Sequence, residues 1–220
     1  MGSIPIGSTK NVRSEMTGRF LLLESCAIIH LNMTSTVKSI ECEVRALVDV
    51  AQYEKLKGFF MNVATFVGEG HQETRYFEGT HDLRIQKNDS YAKVWLKKEA
   101  TFGADREVVE IRVEPERFSD LERLFDALEY KTAVIWLRHR LKFEWDGVAV
   151  ALDHTKGYGY VVEMKLAGDE ACRVETLDKL RAKMSLLGLK PTPKPILHER
   201  FSFYREHWKE LIADEMKTPA

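Results

Sequence analysis

The chain has 220 residues, 44% hydrophobic and 30% charged, and its 33 basic residues nearly cancel its 34 acidic ones to a net charge of −1. That balance excludes a global bias towards nucleic acid or an anionic membrane surface, and the length suits one large domain. Cys26, Cys42 and Cys172 are odd in number and widely spaced, which excludes a disulfide framework or a metal knuckle and suits a reducing, cytoplasmic setting.

Residues 1–37 read as a tail of uncertain role, and 38–216 as the domain. Phe20 to Leu31 is the one apolar run that resembles a membrane or export signal. It is too short to span a bilayer, is interrupted by Glu24, and is followed by no small-residue cleavage site. Ser39 to Val48 alternates strictly: Ile40, Cys42, Val44 and Ala46 face one way, Glu41, Glu43 and Arg45 the other. A period of two means a strand with an apolar face and a charged face. Asp49 then suits a helix N-cap, and Val50, Tyr53, Leu56 and Phe60 form one helical stripe. Val67 to Gly70 reads as a loop, Thr74 to Phe77 as a strand, and Leu83–Lys87 with Tyr91–Lys98 as a hairpin turned at Asn88-Asp89.

Arg106 to Val113 is a further strand. Pro115 opens an amphipathic helix carrying Phe118, Leu121, Leu124, Phe125 and Leu128. Ala133–Phe143, Val148–Leu152 and Tyr160–Leu166 are strands, the first two joined by Asp146-Gly147, a strong hairpin signal. A helix over Val174 to Leu187 stops at Gly188. After the stiff run Pro191 to Pro195, Glu199 to Phe203 reads as a last strand and Tyr204 to Glu215 as a terminal helix. The order is α+β: an antiparallel sheet able to close on itself, with helices outside. The tryptophans Trp95, Trp136 and Trp145 are expected on its outer face.

Acids and bases recur at alternate strand positions. The acids are Glu41, Glu43, Glu107, Asp153 and Glu163, and the bases Arg45, Arg84, Lys97, Arg138 and Arg140. Converging carboxylates repel one another unless a cation neutralises them, and hard divalent ions take such oxygen ligands. Converging guanidinium groups suit phosphate oxygens. Acids for a metal and bases for phosphate are the components of phosphoryl chemistry. Glu110 and Arg112 fall on the other side from Glu107 and are expected outside, as is His139.

The motifs resemble those of the CYTH family, the triphosphate tunnel metalloenzymes. Glu41-x-Glu43-x-Arg45 is similar to the family's opening E-x-E-x-K, and Asp82-Leu-Arg-Ile85 and Val94-Trp-Leu-Lys97 to its L-R-I-R and L-T-L-K strands. Arg106-Glu107, Arg138-His-Arg140 and Leu152-Asp153…Val162-Glu163-Met-Lys165 follow in family order. The resemblance implies an eight-stranded antiparallel barrel whose charged tunnel binds a triphosphate with Mg2+ or Mn2+. It implies that Glu41, Glu43, Asp153 and Glu163 hold the metal, that Arg45, Arg84, Lys97, Arg138 and Arg140 hold phosphates, and that Glu107 assists catalysis.

Lys165 stands where the family has a second acid, and is expected either to weaken the metal or to join the phosphate ligands and catalysis. The implied reaction is hydrolysis of inorganic tripolyphosphate or a small organic triphosphate such as thiamine triphosphate, by in-line attack of a metal-activated water. A class IV adenylyl cyclase and a non-catalytic triphosphate-binding module are the alternatives. The expected partner is a small triphosphate rather than a membrane or nucleic acid, with an RNA 5′-triphosphate end left open, and the expected state is a monomer or homodimer.

Overall fold

The structure, a computed structural model, describes residues 39–97 and 108–216, so the expected tail lies outside the described residues. Its eight strands form one sheet: β1 (Ser39–Val48), β2 (Thr65–Phe77), β3 (Asp82–Lys87), β4 (Ala92–Lys97), β5 (Val108–Val113), β6 (Thr132–Trp145), β7 (Val148–Thr155) and β8 (Gly159–Asp169). Every neighbouring pair is antiparallel, in the order β1-β8-β7-β6-β2-β3-β4-β5. The helices are α1 (Val50–Val63), α2 (Phe118–Ala127), α3 (Arg173–Leu186), α4 (Lys194–Leu211) and the single turn α5 (Ala213–Met216). The fold is α+β, as expected.

The sheet is not closed. Among the described residues, β1 and β5 are its two edges and do not pair with each other. The outer edge of β1 is already taken: Thr192 donates its backbone N–H to the Arg45 carbonyl at 2.8 Å, and its hydroxyl accepts from the Leu47 N–H at 2.9 Å. The proline-rich connector thus covers an edge whose unpaired groups would otherwise invite another strand. Charge alternation could not reveal this, because a sheet with one face under helices and one polar face has the same period as a barrel.

Local chemistry explains most turns. The Asp49 carboxylate caps α1 by accepting from the Gln52 N–H at 2.7 Å. Asn88 Oδ1 accepts from the N–H groups of Ser90 and Tyr91, which shapes the β3–β4 turn. Asp146 and Gly147 both have positive φ, 47° and 73°, which matches the twist of a tight hairpin. After α3, the N–H of Gly188 bonds to Ser185 and that of Leu189 to Met184, while Leu189 buries itself against the core. This is a Schellman ending.

Two expected element assignments are corrected as well. Val67–Gly70 is not a loop: it lies within β2, where the ladder with β6 slips between Phe66 and Gly68 and the extra residue is absorbed as a bulge. Glu199–Phe203 is not a strand but part of α4. Phe201 and Phe203 mimic a period of two, yet Phe203 is exposed, while Tyr204, Trp208 and Ile212, four apart, are buried. Helical spacing won because that stripe has a surface to cover.

The apolar face of β1, β8, β7 and β6 packs under α1 and α3, with Phe60, Leu141, Leu152, Val162, Met164, Leu180 and Met184 fully buried. Burying each of these large side chains stabilises by roughly 1.5–3 kcal/mol. On the same side, Phe118 and Phe125 of α2 cover Ile85 and Phe77. Val50, Leu124 and Leu128, counted as apolar-face residues from spacing, are exposed at the rims of these helices.

α4 crosses the end of the sheet. Trp136 meets Tyr204 and Phe201, and the buried Tyr204 hydroxyl donates to the Ile135 carbonyl at 2.9 Å. The β7–β8 turn touches the end of the same helix. Gly157 has φ +74°, and a Cβ there would lie 2.6 Å from Leu211 Cβ. Gly157→Ala should therefore both strain the turn and push on α4, lowering stability by about 1–3 kcal/mol in thermal or denaturant unfolding.

Candidate functional site

The register places one continuous polar face opposite the helices that cover the core. Residues opposed in an antiparallel ladder share a face. Arg45 opposes Glu163 and Glu43 opposes Lys165 across β1–β8. Ala151 links Glu163 to the β7 row that holds Asp153, and Asp153 opposes Arg140. Arg138 opposes Gln72, and two residues on, Thr74 opposes Gln86. Nearly every strand charge expected in one site therefore does lie on one face.

Arg140 is its centre. Its guanidinium donates to both oxygens of Asp153 at 2.6 Å and to Glu163 at 3.0 Å. Arg138 reaches Asp153 at 3.3 Å and bonds the side-chain oxygen of Gln72. Arg45 donates to Glu163 at 2.8 Å and pairs with Glu43 at 2.9 Å. Lys165 Nζ lies 2.8 Å from Glu41, 3.4 Å from Glu43 and 3.6 Å from Glu163. Asp153 and Glu163 are only 4% and 3% exposed, whereas Glu41 and Glu43 look towards solvent. Burial by itself would raise the Glu163 pKa, but Arg140, Arg45, Lys165 and Arg138 together pull it down to about 2. Burial works against the charge on Lys165, and Glu163, Glu41 and Glu43 outweigh it and hold the ammonium above its usual value. Arg138 is shifted downward by desolvation in spite of Asp153.

Arg84 shares the face but belongs to a second group. It forms a salt bridge with Asp82, donates to the Tyr76 hydroxyl at 3.2 Å, and stacks its guanidinium 4.2 Å from the Tyr76 ring centre and 5.2 Å from that of Trp95. Lys93 and Glu110, which sequence reasoning did not place in the site, belong here too. Lys93 is buried, lies 3.9 Å from the Trp95 ring centre and pairs with Glu110 at 2.8 Å. Glu110 opposes Trp95 and Arg112 opposes Lys93, so both are on the polar face, against expectation. The expectation for the tryptophans holds for Trp145, which packs on the helix-covered face, and is corrected for Trp95 and Trp136, which stand on the polar face. A run of alternating residues identifies two faces without saying which is which, and β5 was assigned the wrong way round. Lys97 occupies the last position of β4, opposite Asp82, and its side chain lies outside the description. Glu107 also lies outside the described residues.

A cavity of about 420 Å3 is lined by residues of both faces, Gln72 and Arg138 from the charged one and His71, His139 and His154 from the other, with Lys156 and Glu215 beside them. His139 bonds Glu69 at 2.6 Å there, away from the charged face as alternation predicted. Among the described residues, no three acids, histidines or cysteines stand arranged as metal ligands. On the charged face the reason is visible, since every carboxylate is turned onto a basic side chain. In kind, Glu41, Glu43, Asp153 and Glu163 are hard oxygen donors suited to Mg2+ or Mn2+.

A family model described as the CYTH domain matches residues 39–194. Among solved structures, a conserved hypothetical protein of Pyrococcus furiosus is 19% identical, with 70% of this chain and 98% of that one covered at a TM-score of 0.56. A Vibrio parahaemolyticus protein provisionally assigned as an adenylate cyclase is 14% identical over 72% of this chain and 97% of its own, with a TM-score of 0.53. A Hippeastrum protein, provisionally an adenylyl cyclase and described by a dominant triphosphatase activity, is 16% identical over 70% and 91%, with a TM-score of 0.51. No curated protein is similar enough in sequence to count as a match. No helix among the described residues is long and apolar enough to cross a membrane.

Glu163→Gln should leave Arg140 and Arg45 short of a buried counter-charge and cost about 3 kcal/mol at neutral pH. Because the folded-state pKa is depressed to about 2 from the ordinary 4.5, the contribution of Glu163 is present above pH 4.5 and lost as pH falls towards 2. Unfolding free energies of the two forms, measured from pH 7 down to pH 2, should converge.

Proposed function

The chain belongs to the CYTH domain family, and from that premise we propose that it hydrolyses a triphosphate, inorganic or attached to a small organic group. The observation that carries this reading is the single sheet face on which Arg45, Arg138, Arg140 and Lys165 converge on Glu41, Glu43, Asp153 and Glu163. Guanidinium forks suit phosphate oxygens in pairs, and fixed strands hold them without further ordering cost. Arg45, Arg138 and Arg140 would bind the phosphates, with Arg84 and Lys97 further along the same face, and the buried carboxylates hold these bases in position.

The network is balanced in charge as it stands, so a polyanion enters most easily with an accompanying cation. A divalent ion such as Mg2+ or Mn2+, held by oxygens of Glu43, Asp153 and Glu163 with Glu41 beside them, would supply that charge and polarise phosphate oxygens. The chain's own residues bind, orient and neutralise. Water attacks the terminal phosphorus, the bond to the bridging oxygen breaks, diphosphate leaves, and the water's protons pass to phosphate and solvent. The dominant triphosphatase activity named for the Hippeastrum protein agrees with hydrolysis. The cyclase alternative rests on the provisional adenylate cyclase name of the Vibrio parahaemolyticus protein.

Incubation with inorganic tripolyphosphate, thiamine triphosphate and ATP, in Mg2+ or Mn2+, tests the reading by following phosphate, diphosphate and cyclic AMP. Phosphate release without cyclic AMP is expected, and cyclic AMP with diphosphate from ATP would replace hydrolysis with cyclisation. Arg45→Gln should retain the fold, because the Arg45 side chain is 44% exposed. It should lower kcat/KM by roughly 10–100-fold, the loss of one or two charge-assisted phosphate contacts.

A further inference from the structure

Lys165 Nζ stands among three carboxylates of two adjacent strands, within 3.6 Å of Glu41, Glu43 and Glu163 at once. An ammonium group has three donors and no acceptor, so three oxygens around one nitrogen satisfy it fully. The arrangement follows from register. Lys165 opposes Glu43 directly, and Glu41 and Glu163 are each two positions away along a strand, which brings all three side chains to the lysine on one face. The Lys165 side chain is 28% exposed and Glu163 3%, so water screens the group only in part.

We propose that Lys165 is a built-in counter-ion: its ammonium occupies a cation position between Glu41, Glu43 and Glu163, and thereby lowers the affinity of the free protein for a divalent cation. Four carboxylates, Glu41, Glu43, Asp153 and Glu163, face four bases, Arg45, Arg138, Arg140 and Lys165. The cluster is thus neutral with Lys165 in place. A divalent ion entering between the same oxygens must first displace the ammonium or stand beside it, and either costs Coulomb energy in a half-screened site. Deleting the amine leaves one carboxylate charge uncompensated, which draws a hard cation. The inference rests on the proposed triphosphate site for its meaning but not for its test.

The test is Mn2+ binding to the whole protein in the absence of any phosphate, followed by electron paramagnetic resonance of free Mn2+ and by calorimetry. Lys165→Met removes the charge and adds no ligand. It should bind Mn2+ about tenfold tighter or more, the effect of deleting a unit positive charge a few ångströms away. Lys165→Arg keeps the charge and should stay as weak as the unmodified protein. Circular dichroism and thermal unfolding establish that each variant is folded, and Lys165→Gln replaces Lys165→Met if that variant is not.

Mn2+ affinity unchanged in the folded neutral variant, or tightened equally by Lys165→Arg, would overturn the assignment. A parallel titration with inorganic tripolyphosphate, in the presence of Mg2+, separates the two readings. If no form binds it, the triphosphate function fails while the Mn2+ comparison still decides the role of Lys165.

Discussion

Two carboxylates buried side by side, Asp153 and Glu163, set the terms for the rest of the molecule. An ionised carboxylate removed from water without a partner is prohibitively costly, and two close together add repulsion. Arg140 resolves both problems, because its planar fork reaches Asp153 with two nitrogens and Glu163 with one of them. For that geometry to exist, β6, β7 and β8 must be adjacent and in their observed register. A slip of one residue would send Arg140 to the apolar side and Leu141 into the charges.

The two faces of the sheet divide the labour. Helices α1, α2 and α3 bury one face, which holds the strands in place. That rigidity lets the other face carry charges that would otherwise rearrange to pair with water. Tyr204 and Phe201 of α4 close one end of the charged face with aromatic contacts to Trp136. Thr192 then seals the edge of β1 beside Arg45. Chain segments after the last strand therefore finish the site that the strands begin.

Under the proposed function, the charged face would serve exchange as much as binding. Every acid that could hold a cation is held by a base that could hold a phosphate. A triphosphate accompanied by a divalent ion would satisfy both sets at once, replacing internal ion pairs with bound ones. Lys165 sharpens this balance, since it brings a positive charge to a strand position where the resemblance implied an acid. On the proposed function, the network's neutrality would make an anion alone a poorer fit than an anion with its cation.

The strand alternation of Glu41, Glu43 and Arg45, the Asp49 cap, the turn at Asp146-Gly147 and the stop at Gly188 were all legible in the sequence. So was the shared face of Arg138 and Arg140, because these depend on neighbours within a few residues. What the sequence could not decide was which side of β4 and β5 faces the charges, so Lys93, Glu110 and Trp95 were misplaced or missed. Nor could it separate a strand from a helix at Phe201 and Phe203, where apolar spacing allowed both and only the surface offered by β6 chose. That the sheet stays open depends on which strands pair, and Glu41 and Glu43 meet Lys165 only because β1 pairs with β8, more than a hundred positions further on. Periodicity reports which residues share a face of one strand. Register between strands, set by packing and the sealing of edges, decides which charges meet.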